Sequence, residues 1–279
     1  VPKWYRHAID LVQDPEVNTV YIATPPQAHL ELTQLAAAAG KPVYVEKPMA
    51  RTFAECQQMI QVCEQANVPL FVAYYRRKLP HFLKIKELLD QGEIGTLRTV
   101  HINLKQVLTP NLVSSSDENW RVIPEIAGGG YFYDLASHQL DLLDFFFGKI
   151  THATGFSSNQ AKAYPAEDLV AGSFVFENGV VGTGNWCFTT STVSEIDEIV
   201  IDGSQGQVRF ATFGEGAFTL YRPNQNPLHF NLELPHHIQR PLIQSIVEEL
   251  LGKGSCPSTG LTAARTNWAM EELTKIRFD

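Results

Sequence analysis

Val17-Asn18-Thr19-Val20-Tyr21-Ile22-Ala23, followed at once by Thr24-Pro25-Pro26, is the stretch that decides the fold. The β-branched run reads as a buried strand, and the prolines stop it because they cannot donate to a ladder. Residues 27 to 39 are rich in Ala and Leu at helical spacing, with Gly40 placed as the left-handed residue that ends the helix. Pro42 to Val45 reads as a short apolar strand running into Glu46-Lys47-Pro48. Thr52 is positioned to cap a helix reaching about Asn67, with Glu55 completing a capping box, and Leu70 to Ala73 reads as another strand. Strand, helix, strand, helix, strand with short loops means right-handed crossovers and a parallel sheet.

Beyond Tyr75 the texture changes. Phe82 to Asp90 is an amphipathic helix ended by Gly92 and Gly95. Longer strand candidates follow at 97–107, 152–157, 169–176, 180–188, 194–202, 207–212 and 217–221, with turn chemistry at Asn178-Gly179 and from Asp202-Gly203 to Gly206. One helix, Tyr131 to Phe147, interrupts them, and two more, at 236–251 and 261–275, close the chain. The reading is an α/β chain: a Rossmann-like unit over residues 1–76, then residues 77–279 with a large, mostly antiparallel open sheet.

Composition narrows the function classes. With 279 residues, 44% hydrophobic and 19% charged, the chain is ordinary globular protein. Its net charge of −8 argues against a nucleic-acid or anionic-membrane partner. The apolar run Leu142 to Phe147 is far shorter than the ~18 residues of a membrane span. Cys56, Cys63, Cys187 and Cys256 form no C-x-x-C pair and read as reduced thiols in a cytoplasmic protein.

In a parallel sheet, ligands bind beyond the carboxyl ends of the strands. Thr24-Pro25-Pro26 with His29, Glu46-Lys47-Pro48, and Tyr74 to Arg77 all lie at such ends. Lys47 can aim its ammonium into the crevice; the plain alternative is a solvated surface lysine. A second cluster is Gly128-Gly129-Gly130 with Asp134, His138 and Asp141. On an α-helix Asp134 and His138, four apart, share one face, so the carboxylate can accept the imidazole N–H and raise its basicity. An ordinary capping Asp beside a partly buried His is the alternative. No second His or Cys stands at metal spacing, so no metal is expected. None of Gly128-Gly129-Gly130, Gly203 to Gly206 or Gly214-Glu215-Gly216 makes a G-x-G-x-x-G phosphate loop. The His236-His237 pair reads as structural.

Taken together, these residues resemble the Gfo/Idh/MocA family of oxidoreductases (glucose–fructose oxidoreductase, inositol dehydrogenase). The resemblance runs through Val20 to Pro26 with His29, Gly40-Lys41-Pro42, Glu46-Lys47-Pro48, Arg77 with Pro80, Gly92 to Gly95, Trp120-Arg121, Gly128 to Gly130, Asp134, Ser137-His138, Asp141, and Ile201 to Gly206. It implies a Rossmann domain followed by an α/β domain whose open sheet assembles homodimers or homotetramers. It implies NAD or NADP as cofactor and hydride transfer at a carbinol carbon of a sugar or cyclitol. By position, Lys47, Asp134 and His138 would be catalytic. Thr24, Pro25, His29, Glu46, Lys47, Pro48 and Arg77 would line the cofactor, and Trp120 and Arg121 the substrate, beside Lys47 and His138. Against the family pattern a first strand–G-x-G-x-x-G–helix–strand stretch of roughly 50 residues is absent, so a longer native protein is expected. Tyr75 stands where many members have Asn, and Lys78 where an aromatic is common. Two other activities fit the same motifs: redox-neutral glycoside hydrolysis using bound NAD, and a catalytically silent sugar or nucleotide sensor. The loops 108–127 and 158–168 are expected to shape the substrate pocket.

Overall fold

The computed structural model describes residues 3–108 and 119–278; residues 109–118 of the first pocket loop lie outside them. Helix α1 (Ala8–Gln13) leads into β1 (Val20–Ile22), α2 (His29–Ala38), β2 (Val43–Val45), α3 (Phe53–Gln65) and β3 (Leu70–Val72). The three strands form a parallel sheet in the order β1-β2-β3. Ile22 pairs with Val45 and Val45 with Val72, so all three strands end in line and their following loops emerge side by side.

Each turn has a local cause. Gly40 is at φ +68° after α2, as its place in the sequence requires. Thr52 caps α3 through the Glu55 amide, but the Glu55 carboxylate takes the Arg51 amide and guanidinium instead of closing a reciprocal box. The reciprocal box occurs at Thr259 and Thr262.

The chain continues through α4 (Pro80–Asp90), β4 (Leu97–Lys105), a single helical turn α5 (Pro124–Ala127), a π-helical turn over Phe132–Ala136, and α6 (Ser137–Phe147). Then come β5 (Ile150–Ser158), β6 (Leu169–Phe176), β7 (Val181–Cys187), β8 (Ile196–Gly203), β9 (Gly206–Phe210), β10 (Ala217–Tyr221) and β11 (Leu228–Asn231). Helices α7 (Arg240–Leu250) and α8 (Gly260–Thr274) and strand β12 (Ile276–Phe278) end the described chain. The second sheet has nine strands in the order β11-β10-β9-β8-β4-β7-β6-β5-β12. Two of its pairings, β4 with β7 and β5 with β12, are parallel and the rest antiparallel. Strands β11 and β12 were not expected; both are short edge strands with mostly exposed side chains, so they carry no apolar alternation.

One face of the large sheet is packed by Phe82 and Ile85 of α4, Leu140, Leu143, Phe146 and Phe147 of α6, and Met270 and Leu273 of α8. These meet Phe174, Trp186, Ile199 and Ile201 of the strands. The opposite face carries exposed His101, Thr183 and Asn185. The small sheet is covered on both sides: α2, α3 and Ala263 and Ala264 of α8 pack one face. Leu242 and Ile246 of α7 pack Tyr44 and Phe71 on the other. Helix α8 therefore belongs to both cores. It is also pinned to the first unit by Asn267, which donates to Ala50 O, and by Glu271, which accepts the Phe53 amide. Among the described residues no helix is long and apolar enough to cross a membrane.

Candidate active site

The loop after β2 meets the π-helical turn and the loop after β3 meets the first turn of α6, and Lys47, Arg121, Asp134 and His138 line this junction. The Lys47 ammonium donates to the Asp134 carboxylate and, at 3.0 Å, to the Asp134 carbonyl. Arg121 Nε lies 3.4 Å from the other Asp134 oxygen and stacks its guanidinium on Trp120, 4.5 Å from the ring centre. His138 is buried among the rings of Tyr74, Tyr75 and Phe213, with centroids 6.0, 5.5 and 6.0 Å away, and its Nδ1 has no hydrogen-bond partner. Burial, with Arg76 and Lys47 nearby, pulls the His138 pKa well below 6.5, so the ring is neutral at neutral pH.

The helical-face reading of Asp134 and His138 is corrected by this geometry. Residues 132–136 are π-helical, and the wider turn breaks the i,i+4 alignment an α-helix would give. Asp134 is turned to Lys47 and Arg121, not to the imidazole. The glycines before it serve packing inside the chain. Gly128, at φ +89°, leaves 2.5 Å between a notional Cβ and Arg51 O, and the Gly130 amide donates to Glu167 Oε1 at 2.8 Å. That last bond ties the 159–168 loop to the chain just before the π-helical turn.

Arg77 is also placed differently from its expected cofactor contact. It is 3% exposed, and each of its nitrogens donates within the chain. Nε and Nη2 grip Asp141 Oδ2 and Oδ1 at 2.8 and 2.7 Å, Nη2 reaches Asp144 at 3.1 Å, and Nη1 donates to Pro257 O at 3.1 Å. Burial opposes its charge, but the two carboxylates outweigh it and hold the guanidinium protonated. A strand-end arginine whose carboxylates sit 64 and 67 residues away looks like a crevice residue in sequence.

His29 is likewise an internal tie in place of a cofactor contact. Fully buried, it sets Nδ1 3.0 Å from Met49 O and Nε2 2.9 Å from Thr24 O, bracing the loop after β1 against the loop after β2. Glu46 accepts from the Tyr21 hydroxyl, Gln239 Nε2 and the Lys47 amide, so its carboxylate too is engaged internally. Pro48 is buried and follows a cis peptide bond, and Pro25 is half-buried. The residues that remain for a dinucleotide are Thr24, whose buried hydroxyl has no partner, and the partly exposed Lys47. An unpartnered hydroxyl and an ammonium at adjacent strand ends fit the polar end of a nicotinamide riboside.

Sequence reasoning took in Arg76 only as part of the Tyr74 to Arg77 strand end and gave it no role of its own. It is sandwiched between Tyr75 and Phe213, 4.8 and 4.6 Å from their ring centres, the same two rings that wall His138. Behind it runs a polar network: Trp186 donates to Gln139, which donates to Thr212 and Asp197, while Asp197 accepts the Phe213 amide. The one available signal was the pair of adjacent arginines after a strand.

Comparison with known proteins accords with this geometry. Residues 1–74 match the model of an oxidoreductase family with an NAD-binding Rossmann fold, and residues 82–209 match the GFO/IDH/MocA C-terminal domain. The chain is 37% identical over 273 residues to oxidoreductase P35 of Formosa agariphila, covering 97% of this chain and 83% of that protein. It is 28% identical over 219 residues to D-apiose dehydrogenase of Paraburkholderia graminis, covering 76% of this chain and 55% of that protein. The structure superposes on levoglucosan dehydrogenase in complex with NADH and levoglucosan with a TM-score of 0.80 at 22% identity, over 95% of this chain and 79% of that one. With both of its parts matched and a relative aligned along nearly its whole length, the chain belongs to the GFO/IDH/MocA family of NAD-binding oxidoreductases.

Proposed function

We propose that this oxidoreductase moves a hydride to or from a carbinol carbon of a sugar, cyclitol or related polyol. The observation that carries the reading is the convergence of Lys47, paired with Asp134, on a neutral, buried His138 at the ends of a parallel sheet. D-apiose dehydrogenase and levoglucosan dehydrogenase, to which the chain is similar, carry sugar substrates in their names. A bound nicotinamide supplies the hydride acceptor or donor, with Thr24 and Lys47 at its polar end. His138, uncharged, takes the hydroxyl proton as the carbinol is oxidised. Lys47 donates to the same oxygen and stabilises its developing negative charge. Asp134 anchors that ammonium through both its carboxylate and its carbonyl. Trp120 and Arg121 form the substrate side of the cleft.

A division near residue 76 is supported by the break between the two sheets, with α7 returning to the first sheet and α8 packing on both. The exposed polar face of the large sheet suits self-association into homodimers or homotetramers, readable by light scattering. Four free cysteines accord with a reducing, cytoplasmic setting.

The test is turnover of a sugar and cyclitol panel with NAD+ and NADP+, in wild type and in Lys47→Met and His138→Ala. Each variant is expected to lose about 10²-fold or more in kcat with its melting temperature preserved. Wild-type turnover in both variants would remove this mechanism. Glycosidic cleavage without net NADH would assign the redox-neutral chemistry instead.

A further inference from the structure

Arg76 is an unusual residue to bury. It is 6% exposed, yet no carboxylate lies within ion-pair distance of it among the described residues. Nε donates to Thr212 O at 3.1 Å, while the buried Nη1 has no partner. Removing a cation from water without a counter-charge is costly, and natural sites supply one. The nearest candidate, Asp197, is already engaged by Gln139 and the Phe213 amide. The guanidinium shares the walls of Tyr75 and Phe213 with His138. Of the carboxylates close enough to act on it, Asp134 is already paired with Lys47 and Arg121.

We propose that Arg76 reads a carboxylate on the substrate, so that this site takes an acidic sugar such as a uronate or aldonate in preference to its neutral counterpart. The inference rests on the polyol reading above and narrows its substrate class. A carboxylate replaces the missing partner of Nη1, and the guanidinium's planar fork, held flat by the two rings, suits its geometry. The stack fixes the orientation in advance, so little ordering is lost on binding.

Binding is measured by calorimetry, in the presence of NAD+, for D-glucuronate against D-glucose and D-galacturonate against D-galactose. Wild type is expected to favour one acid over its neutral partner by about 10- to 100-fold. Arg76→Met is expected to collapse that ratio to near one, and Arg76→Lys to retain part of it, because charge survives without the fork. A wild type that binds the neutral sugar as well as the acid overturns the inference without any variant. A variant in which both affinities fall together, leaving the ratio unchanged, overturns it too and makes Arg76 a structural residue. Nicotinamide absorbance in the same samples keeps the two claims apart. Uronate binding without redox turnover refutes the oxidoreductase reading alone, and turnover without acid preference refutes this inference alone.

Discussion

Replacing Arg77 by Met removes the cation from between Asp141 and Asp144 and leaves two carboxylates, 1% and 3% exposed at the side chain, without it. Breaking a buried pair by deleting one member costs about 3–5 kcal/mol. In a chain of this size each kcal/mol shifts the melting temperature by about 2–4 °C, so the variant should melt on the order of 10 °C lower. The loss should depend on pH. Burial already pushes the Asp141 carboxyl from 3.8 up to about 6, against the pull of Arg77. A carboxyl whose folded-state pKa lies above its unfolded value stabilises the fold in its protonated form. That contribution is full below 3.8 and is lost as pH rises through the folded value. Without Arg77 the folded value climbs further, so the variant goes on losing stability at pH values where wild type has stopped. Its deficit is thus smallest near pH 3.8 and grows above about 6. Urea unfolding across that range reads the deficit, and NADH titration of the same samples reads the site. A variant that melts within about 2 °C of wild type but binds NADH poorly would refute this account and restore Arg77 to the cofactor.

Other outcomes follow from the same geometry. Asp134→Asn should show a coupling energy of about 1–3 kcal/mol with Lys47→Ala and almost none with His138→Ala in a kinetic double-mutant cycle; the reverse pattern would return Asp134 to the imidazole. Because burial, Arg76 and Lys47 disfavour the imidazolium, alcohol oxidation should keep its base as pH falls through 6.5. An acid limb of kcat/KM centred at or above that value would contradict it. Gly128→Ala should cost at least about 1–3 kcal/mol in urea unfolding, since φ +89° and the nearby Arg51 carbonyl both exclude a methyl group.

The small sheet was legible because its strands read as continuous apolar runs, fully buried in β2 and β3, each ended by a proline or a polar cluster. The large sheet was legible through its turns, Asn178-Gly179 and Asp202-Gly203, more than through its strands. The site was half legible. Lys47 and His138 stand where strand ends and helix spacing put them, but what each touches is set by residues far away in the chain. Lys47 meets Asp134 across 87 positions. A π-helical turn has no composition that marks it, so Asp134 was assigned the wrong neighbour. Arg76 and Arg77 are adjacent and chemically identical in the sequence. Only the packing of α6 against the loop after β3 sends one to Asp141 and Asp144 and the other between two aromatic rings beside His138.

The sharing of α8 between the two cores has a consequence for how the protein is made. A ribosome delivers β1, β2 and β3 early, but Ala263 and Ala264, which seal one face of their sheet, emerge roughly 200 residues later, on the order of 10–40 s at ~5–20 residues per second. Throughout that interval the nascent sheet presents an unsealed apolar strip to solvent, while the larger sheet is still being synthesised behind it. The early unit can only finish when the last helix arrives, and the same arrival closes the late unit. Completion of both is therefore one event, timed by the arrival of α8, and a nascent chain stalled before α8 is a natural client for chaperones.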